Sequence, residues 1–138
     1  MFVVLLRHAE REAGGTDPGL TAAGRARAKL LANMLAETGI DAVFTSEFKR
    51  TKETAAPIAE RLSVSPLELD DDMAAAKQQV RSGGQCVLVV GHTDTVPELI
   101  AELGGPPVEI PDTAFNRLFV LHVRDEAANL LSMTYGAS

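Results

Sequence analysis

The stretch Phe2-Val-Val-Leu-Leu-Arg-His-Ala-Glu10 joins a short apolar run to a cation and an imidazole. Five consecutive apolar residues that include two valines are typical of a buried β-strand, here predicted over residues 2–6. In open α/β sheets, ligands bind in the crevice outside the carboxyl ends of the strands. Arg7 and His8 stand at that end of the predicted strand. His8 is therefore a stronger candidate for chemistry than any other histidine of the chain.

Outward from this strand, apolar runs and helical periodicities alternate along the chain. Four helices are predicted from their end signals. The first has an N-cap at Thr21 and a stop at Gly39, and the second has a cap at Ser46 with Pro57 as a possible kink. The third begins at the acidic residues 70–72, and the fourth has capping-box spacing from Thr95. The apolar face expected for the first helix comprises Ala23, Ala26, Leu30, Leu31, Met34 and Leu35. Further strands are predicted over residues 41–45, 64–69, 86–90, 117–123 and 130–135.

This alternation predicts βαβ units and a mostly parallel sheet with helices on both faces. We therefore expect one α/β domain over residues 1–138, a three-layer α/β/α sandwich whose mostly parallel central sheet has an antiparallel edge strand.

Composition narrows the function classes. The net charge of −6 argues against general affinity for nucleic acid or anionic membranes, and no apolar run is long enough to span a bilayer. The single cysteine, Cys86, excludes an internal disulfide and a cysteine-rich zinc site. We expect a cytoplasmic protein, because the N-terminus shows no signal-peptide pattern. Residues 1–52 carry eight basic and six acidic side chains, whereas residues 53–138 carry five basic and thirteen acidic ones. Because the overall charge is negative, an anionic substrate would have to be held by local cations.

Three predicted strand–helix junctions carry polar side chains. The first has Arg7 and His8, the second Ser46 and Arg50, and the third His92 followed by Thr93. If the strands are parallel neighbours, these junctions lie on one edge of the sheet. Two arginines, two histidines and two helix N-termini would then converge, and forked guanidinium donors and free N–H groups suit a tetrahedral dianion.

Histidine is the nucleophile that this pattern favours. No G-x-S-x-G elbow or P-loop is present. An imidazole attacks only when neutral, and neighbouring arginines lower its pKa. A metal site from His8, His92, Glu10 and Asp17 is disfavoured because the arginines would repel a cation, and the H-x-E pattern at His8 lacks the paired cysteines of zinc deaminases. We expect neither a metal nor an organic cofactor.

Four motifs in order resemble the histidine phosphatase superfamily, also called the phosphoglycerate-mutase-like family. They are Leu-Leu-Arg-His-Ala-Glu at 5–10, Leu-Thr-Ala-Ala-Gly-Arg at 20–25, Thr-Ser-Glu-Phe-Lys-Arg-Thr-Lys-Glu-Thr-Ala at 45–55, and Val-Val-Gly-His-Thr at 89–93. Ala9 stands where this family commonly has glycine. The resemblance covers roughly residues 3–103 and implies a phosphoglycerate-mutase-like fold.

The resemblance also implies roles for individual residues. His8 would be the nucleophile that becomes phosphohistidine, Arg7 and Arg50 would clamp the phosphoryl group, and His92 would stabilise its oxygens. A general acid is expected in the segment after the second helix, where no motif selects among Glu68, Asp70, Asp71 and Asp72. A solvated helix start is an equally acceptable interpretation of these four carboxylates.

Several residues keep two interpretations. Glu10 either orients His8 or Arg7 or forms a surface pair, Thr16 is a candidate phosphate donor, and Thr93 either donates to phosphate or caps its helix. His122, inside a late strand, is expected to be structural or exposed, and Cys86 a small buried hydrophobe. Asp112 and Asn116 flank a segment that we interpret as a plain turn rather than a loop closing over the site.

The sequence thus predicts a phosphatase acting on a small phosphorylated metabolite or on a phosphohistidine protein. Mutase activity is less expected, because the chain lacks room for insertions that enclose a sugar phosphate. The rivals are a protein phosphohistidine phosphatase in signalling and a non-catalytic phosphate-binding module. The Asp94-Thr95-Val96-Pro97 stretch differs from the Asn-Pro that often follows the second histidine in phosphohistidine phosphatases. Neither the substrate nor the oligomeric state can be read from the sequence.

Overall fold

The computed structural model describes residues 1–137, in which one six-stranded sheet is flanked by helices. None of the helices in these residues is long and apolar enough to cross a membrane. The elements in chain order are β1 Phe2–Arg7, α1 Ala22–Leu35, β2 Ala42–Thr45, α2 Lys49–Leu62, β3 Leu67–Glu68, α3 Met73–Arg81, β4 Cys86–Gly91, α4 Thr95–Glu102, β5 Arg117–Arg124 and β6 Ala127–Thr134.

The sheet has the strand order β3-β2-β4-β1-β5-β6. Strands β3, β2, β4 and β1 pair in parallel, whereas β5 pairs antiparallel with both β1 and β6. The predicted α/β sandwich with a mostly parallel sheet is therefore confirmed. The strand that runs against the others is β5, which lies one position inside the edge strand β6.

The central strand β1 contributes to two cores because successive side chains of a strand point to opposite faces. Val4 and Leu6 pack with α1 and α2, and Val3 and Leu5 pack with α3 and α4. All four are almost fully buried, as expected for a strand covered on both faces. The continuous apolar run at residues 2–6 thus encodes a strand in the middle layer.

Local signals misplaced several element ends. The first helix ends at Leu35 rather than at Gly39, and its buried face comprises Gly24, Arg27, Ala28, Leu31, Ala32 and Leu35. Ala23, Ala26, Leu30 and Met34 are exposed, so the predicted apolar face was wrong except at Leu31 and Leu35. The α2 helix continues through Pro57, α4 is capped by Asp94, and the predicted strand at 64–69 shrinks to Leu67–Glu68.

Neighbouring strands β1 and β4 lead to opposite faces of the sheet. The chain leaves β1 toward α1, which packs on one face, and leaves β4 toward α4, which packs on the other. A crevice forms outside the carboxyl ends of two strands at such a reversal, and ligands of open α/β folds bind there. The fold therefore places Arg7, His8 and His92 beside a ready-made crevice.

Gly24 allows α1 to approach the segment that follows His8. A Cβ at this position would collide with the backbone carbonyl oxygen of Glu10. Replacing glycine by alanine inside a helix normally adds about 1 kcal/mol of stability. Here the contact is with backbone, which cannot rotate away as a side chain could.

We predict that Gly24→Ala lowers the free energy of unfolding by about 2 kcal/mol, because overpacking a rigid contact outweighs helix propensity. Urea denaturation measures the change. The control is Ala26→Gly at an exposed position of the same helix, which should lose about 1 kcal/mol by propensity alone. A Gly24→Ala protein as stable as the parent would contradict the close approach.

Candidate active site

The register of β4 against β1 brings the two histidines together. Arg7 lies opposite Gly91 in this parallel ladder, and the backbone N–H of His8 donates to the Gly91 carbonyl at 2.9 Å. His8 and His92 are consequently the next residues beyond the paired strands. Their rings meet edge to face with centroids 5.4 Å apart.

The third junction, after β2, adds Ser46. Thr45 lies opposite Val90 in the β2–β4 ladder, so the next residue reaches the His92 ring. The Ser46 hydroxyl lies 2.9 Å from Nε2 of His92 and 2.8 Å from the Thr51 hydroxyl. The predicted helix cap at Ser46 was wrong. The α2 N-cap is Phe48, which makes no side-chain cap, and Ser46 orients His92 instead.

Two guanidinium groups lie against aromatic rings at the same edge. The Arg7 Cζ atom is 3.9 Å from the centroid of Phe115, and the Arg50 Cζ atom is 4.4 Å from that of Phe48. Arg7 also donates through Nη1 to the carbonyls of Asp112 and Ala114 at 2.6 and 3.1 Å. The Nε atoms of both arginines are buried without a hydrogen-bond partner among the described residues. Native proteins seldom leave such donors without a partner, so both side chains are held here at a cost to stability.

These side chains face a common open cleft of about 860 Å³. Arg7, Arg50, His8, His92 and Thr93 all border it, so the structure brings together the residues that the sequence placed at three separate junctions. The complete lining is Arg7, His8, Arg11, Glu12, Ala13, Ser46, Phe48, Arg50, Asp71, His92, Thr93, Asp94, Thr95, Asp112 and Phe115.

The tautomer of His8 follows from one hydrogen bond. Its Nδ1 lies 2.7 Å from the Ala9 carbonyl oxygen, which can only accept, so Nδ1 carries the proton. Nε2 is then the unprotonated nitrogen of the neutral ring. The side chain is only 3% exposed, and burial, reinforced by Arg7, His92 and Arg50, lowers the pKa of His8 to about 4. The ring is neutral near pH 7, with an available lone pair on Nε2.

The other charged groups respond to the same surroundings. Burial, together with Arg50, lowers the pKa of His92, so this ring is also held toward its neutral form. Burial and the mutual repulsion of the cations lower the pKa values of Arg7 and Arg50. A guanidinium nevertheless remains charged at neutral pH. The cleft therefore combines two neutral imidazoles with permanent cations.

The four acidic candidates separate clearly. Glu68 forms an ion pair with Lys52 at 2.7 Å. Asp70 accepts from the backbone N–H of Asp72, and Asp72 in turn caps α3 through the N–H of Ala75. Asp71 alone of the four lines the cleft. A helix start explains Asp72, but it does not explain Asp71.

The structure also decides the expectations for four other residues. Thr16 is exposed and does not line the cleft, whereas Thr93 does and leaves the capping of α4 to Asp94. Cys86 is half-buried rather than buried, and His122 stacks on Phe2 with centroids 4.7 Å apart.

Glu10 forms an ion pair with Arg27. Its carboxylate accepts from Nε and Nη2 of Arg27 at 2.9 and 3.0 Å. Arg27 is largely buried and also donates to the carbonyls of Tyr135 and Ala137. Burial alone would raise the pKa of Glu10, but the Arg27 hydrogen bonds lower it overall. The pair ties the segment after β1 to α1 and to the C-terminal strand.

Sequence reasoning missed several residues that shape the site. Arg11 lines the cleft, and Thr54 accepts from the Ala9 N–H at 2.9 Å while donating to the Arg50 carbonyl. The segment between Asp112 and Asn116 contains the expected turn, and it also holds Arg7 and places Phe115 against its guanidinium group. The signal in the sequence for Arg11 was its position directly after the motif at residues 5–10.

Nothing in residues 1–137 gathers three or more His, Cys, Asp or Glu side chains into a group able to hold a metal ion. The carboxylates proposed for such a site are engaged elsewhere. Glu10 pairs with Arg27, and Asp17 accepts from the backbone N–H of Lys49.

Comparison with known proteins places this site in a family. The model of the histidine phosphatase superfamily (branch 1) matches residues 3–77, more than half of the chain. The chain therefore belongs to the histidine phosphatase superfamily.

Curated relatives match about half of the chain. A 2,3-bisphosphoglycerate-dependent phosphoglycerate mutase of Bartonella henselae is 40% identical over 76 residues, which is 49% of this chain and 37% of the relative. Phosphoserine phosphatase 1 of Hydrogenobacter thermophilus is 37% identical over 75 residues, or 49% of this chain and 36% of the relative. The chain thus spans little more than a third of the length of either relative.

Solved structures share the fold over nearly the whole chain. The protein histidine phosphatase SixA, complexed with tungstate, superposes with a TM-score of 0.80 at 23% identity, covering 97% of both chains. The alpha-ribazole phosphatase of Shigella flexneri gives 0.73 at 17% identity, covering 97% of this chain and 96% of its own. At these identities the likeness concerns the fold.

We predict that the His8 ring stays neutral well below the usual histidine range, because burial and the adjacent arginines penalise the imidazolium. Nitrogen-detected NMR titration should show His8 protonating near pH 4, with the proton on Nδ1 above that pH. A His8 midpoint at or above pH 6 would contradict the electrostatic description of the site.

Proposed function

We propose that the protein hydrolyses phosphate monoesters through a covalent phosphohistidine on His8. The observation that carries this proposal is the unprotonated Nε2 of a buried, neutral His8 beside two guanidinium groups whose Nε donors are unpartnered. Family membership supports it, and so does the tungstate of the SixA complex, since tungstate is a tetrahedral oxyanion like phosphate.

In the first step Nε2 of His8 attacks phosphorus, and the bond from phosphorus to the ester oxygen breaks. Arg7 and Arg50 hold the equatorial oxygens by charge and by forked hydrogen bonds. The Ala9 carbonyl accepts from Nδ1–H and so stabilises the positive charge that develops on the ring. Fixed cations placed where charge accumulates need no rearrangement during the reaction.

In the second step water attacks the phosphorus of phosphohistidine, and the bond to Nε2 breaks to release inorganic phosphate. Splitting one transfer into two easier ones is the benefit of covalent catalysis. His92 lies on the other side of the phosphoryl position, held through Ser46, and contributes hydrogen bonds to the transferring oxygens. Thr93, beside it, is a second candidate donor.

We assign the general acid to Asp71. An alkoxide leaving group needs a proton as the ester bond breaks, and Asp71 is the one carboxylate of the 68–72 segment that reaches the cleft. Its neighbours are committed to an ion pair and to backbone hydrogen bonds.

A protein phosphohistidine phosphatase is the second candidate. It is favoured by the end-to-end structural match with SixA, described as a protein histidine phosphatase. Phosphohistidine leaves as an imidazole and depends less on a general acid than an alkyl ester does. Turnover of a phosphohistidine protein relative to small esters separates the two candidates.

We predict that His8→Ala abolishes hydrolysis of para-nitrophenyl phosphate, by at least about a thousandfold, because it removes the nitrogen that forms the covalent intermediate. In the parent protein, a rapid alkaline quench should trap a phosphoryl group on His8 that is acid-labile and alkali-stable.

The matched control is His122→Ala, which removes a histidine outside the cleft and should leave the rate unchanged. Unchanged turnover in His8→Ala would refute the nucleophile. Binding of phosphate without any covalent labelling would identify a non-catalytic binding module instead.

We predict that Asp71→Asn slows hydrolysis of an alkyl phosphate by about a hundredfold and of para-nitrophenyl phosphate by less than about threefold. Proton transfer contributes about 10²–10⁴-fold when the leaving group is basic, and little when it leaves unaided. Asp70→Asn is the control, because an amide oxygen can still accept the Asp72 N–H. Equal losses on both substrates, or an equal loss in Asp70→Asn, would exclude Asp71 as the acid.

A further inference from the structure

Three arginines and four carboxylates line the cleft, and the four carboxylates are called the acidic rim below. We propose that its substrates are small phosphate monoesters whose leaving group carries a positive charge, such as an ammonium. The inference rests on the proposed function and names the substrate class of the same site.

The cationic part lies where the phosphoryl group would sit. Arg11 lines the cleft and is close enough to Arg7 and Arg50 to lower the pKa values of both, after burial as the main cause. His8 supplies an independent sign of a ligand here. His8 lines the cleft and is only 3% exposed. Its Nε2 has no hydrogen-bond partner among the described residues.

The other charged residues of the lining are acidic. Glu12, Asp71, Asp94 and Asp112 border the cleft, and their residues are all largely exposed. No Lys or Arg nitrogen of residues 1–137 lies within 4.0 Å of any of these four carboxylates. Their charges are therefore not neutralised by local ion pairs and act on whatever occupies the cleft.

Binding of a phosphoryl group makes the net charge of the cleft more negative. With Asp71 holding the proton that it donates, the three arginines and the carboxylates of Glu12, Asp94 and Asp112 leave the lining with no net charge, and a phosphoryl dianion brings it to −2. The part of the substrate that projects beyond the phosphoryl group then meets a negative field. A cationic leaving group is attracted to it, and a carboxylate or a second phosphate is repelled.

Three esters of similar shape and similar phenolic leaving groups test this charge preference. They are para-aminomethylphenyl, para-methylphenyl and para-carboxymethylphenyl phosphate, which carry a positive, neutral and negative substituent. We expect kcat/KM to fall in that order, with at least about a tenfold difference between the cationic and anionic esters, since one exposed charge pair changes an equilibrium by about 1.4- to 5-fold. Added salt should compress the range.

The double variant Glu12→Gln, Asp112→Asn should reduce the cationic-to-anionic ratio to a third or less. Glu60→Gln is the control, because it removes one negative charge from α2 outside the cleft and should leave the ratio unchanged. A ratio below about twofold in the parent protein, or an equal narrowing in Glu60→Gln, would overturn the proposal.

Binding of the three esters to the His8→Asn variant distinguishes the charge inference from the phosphatase proposal. Calorimetry of the three intact esters reports the charge order without any turnover. If binding follows the order but the parent protein hydrolyses none of the esters, the phosphatase proposal fails and the acidic rim stands. If all three are hydrolysed with dependence on His8 but bind equally, the charge inference fails and the phosphatase proposal stands.

Discussion

The backbone hydrogen bond from His8 to Gly91 extends the β1–β4 ladder one residue beyond Arg7. This bond fixes the register of the two central strands, and a slip by one residue would turn every side chain to the other face. Both strands are buried on both faces, so a slip would also force the two cores to repack at once. The side-by-side placement of His8 and His92 is therefore held by the full apolar burial of the sheet rather than by contacts within the site.

The two arginines depend on the same framework through different neighbours. Thr54 is fully buried on α2 and bridges the backbone after His8 to the carbonyl of Arg50, so the first and second motifs move as one unit. Behind them, the Glu10–Arg27 pair joins this segment to α1 and to the C-terminal strand. Removing Glu10 would leave the buried charge of Arg27 without its counter-ion, so this link between the layers is costly to break.

The central sheet and the convergence of the three strand–helix junctions could be predicted from the sequence, because they follow from apolar runs and parallel strand pairing. It failed where a side chain has a distant partner. Ser46 fits a helix cap locally, yet its hydroxyl binds His92, 46 residues away. Glu10 had two local interpretations, and its partner Arg27 sits on the buried face of a helix whose apolar stripe was misassigned. No capping rule or periodicity encodes contacts of this kind, which arise only when the layers pack.

The way each arginine is held explains why the site can take an anion at all. Arg27 is paired with a carboxylate, so its charge is neutralised and serves the fold. Arg7 rests on backbone carbonyls and the Phe115 ring, and Arg50 on the Phe48 ring, with no carboxylate of residues 1–137 within 4.0 Å of either group. Carbonyl dipoles and aromatic faces stabilise a guanidinium without cancelling its charge. A phosphoryl dianion entering the cleft therefore displaces no carboxylate of the described residues, and the same uncancelled charge reinforces the burial that keeps the imidazoles neutral.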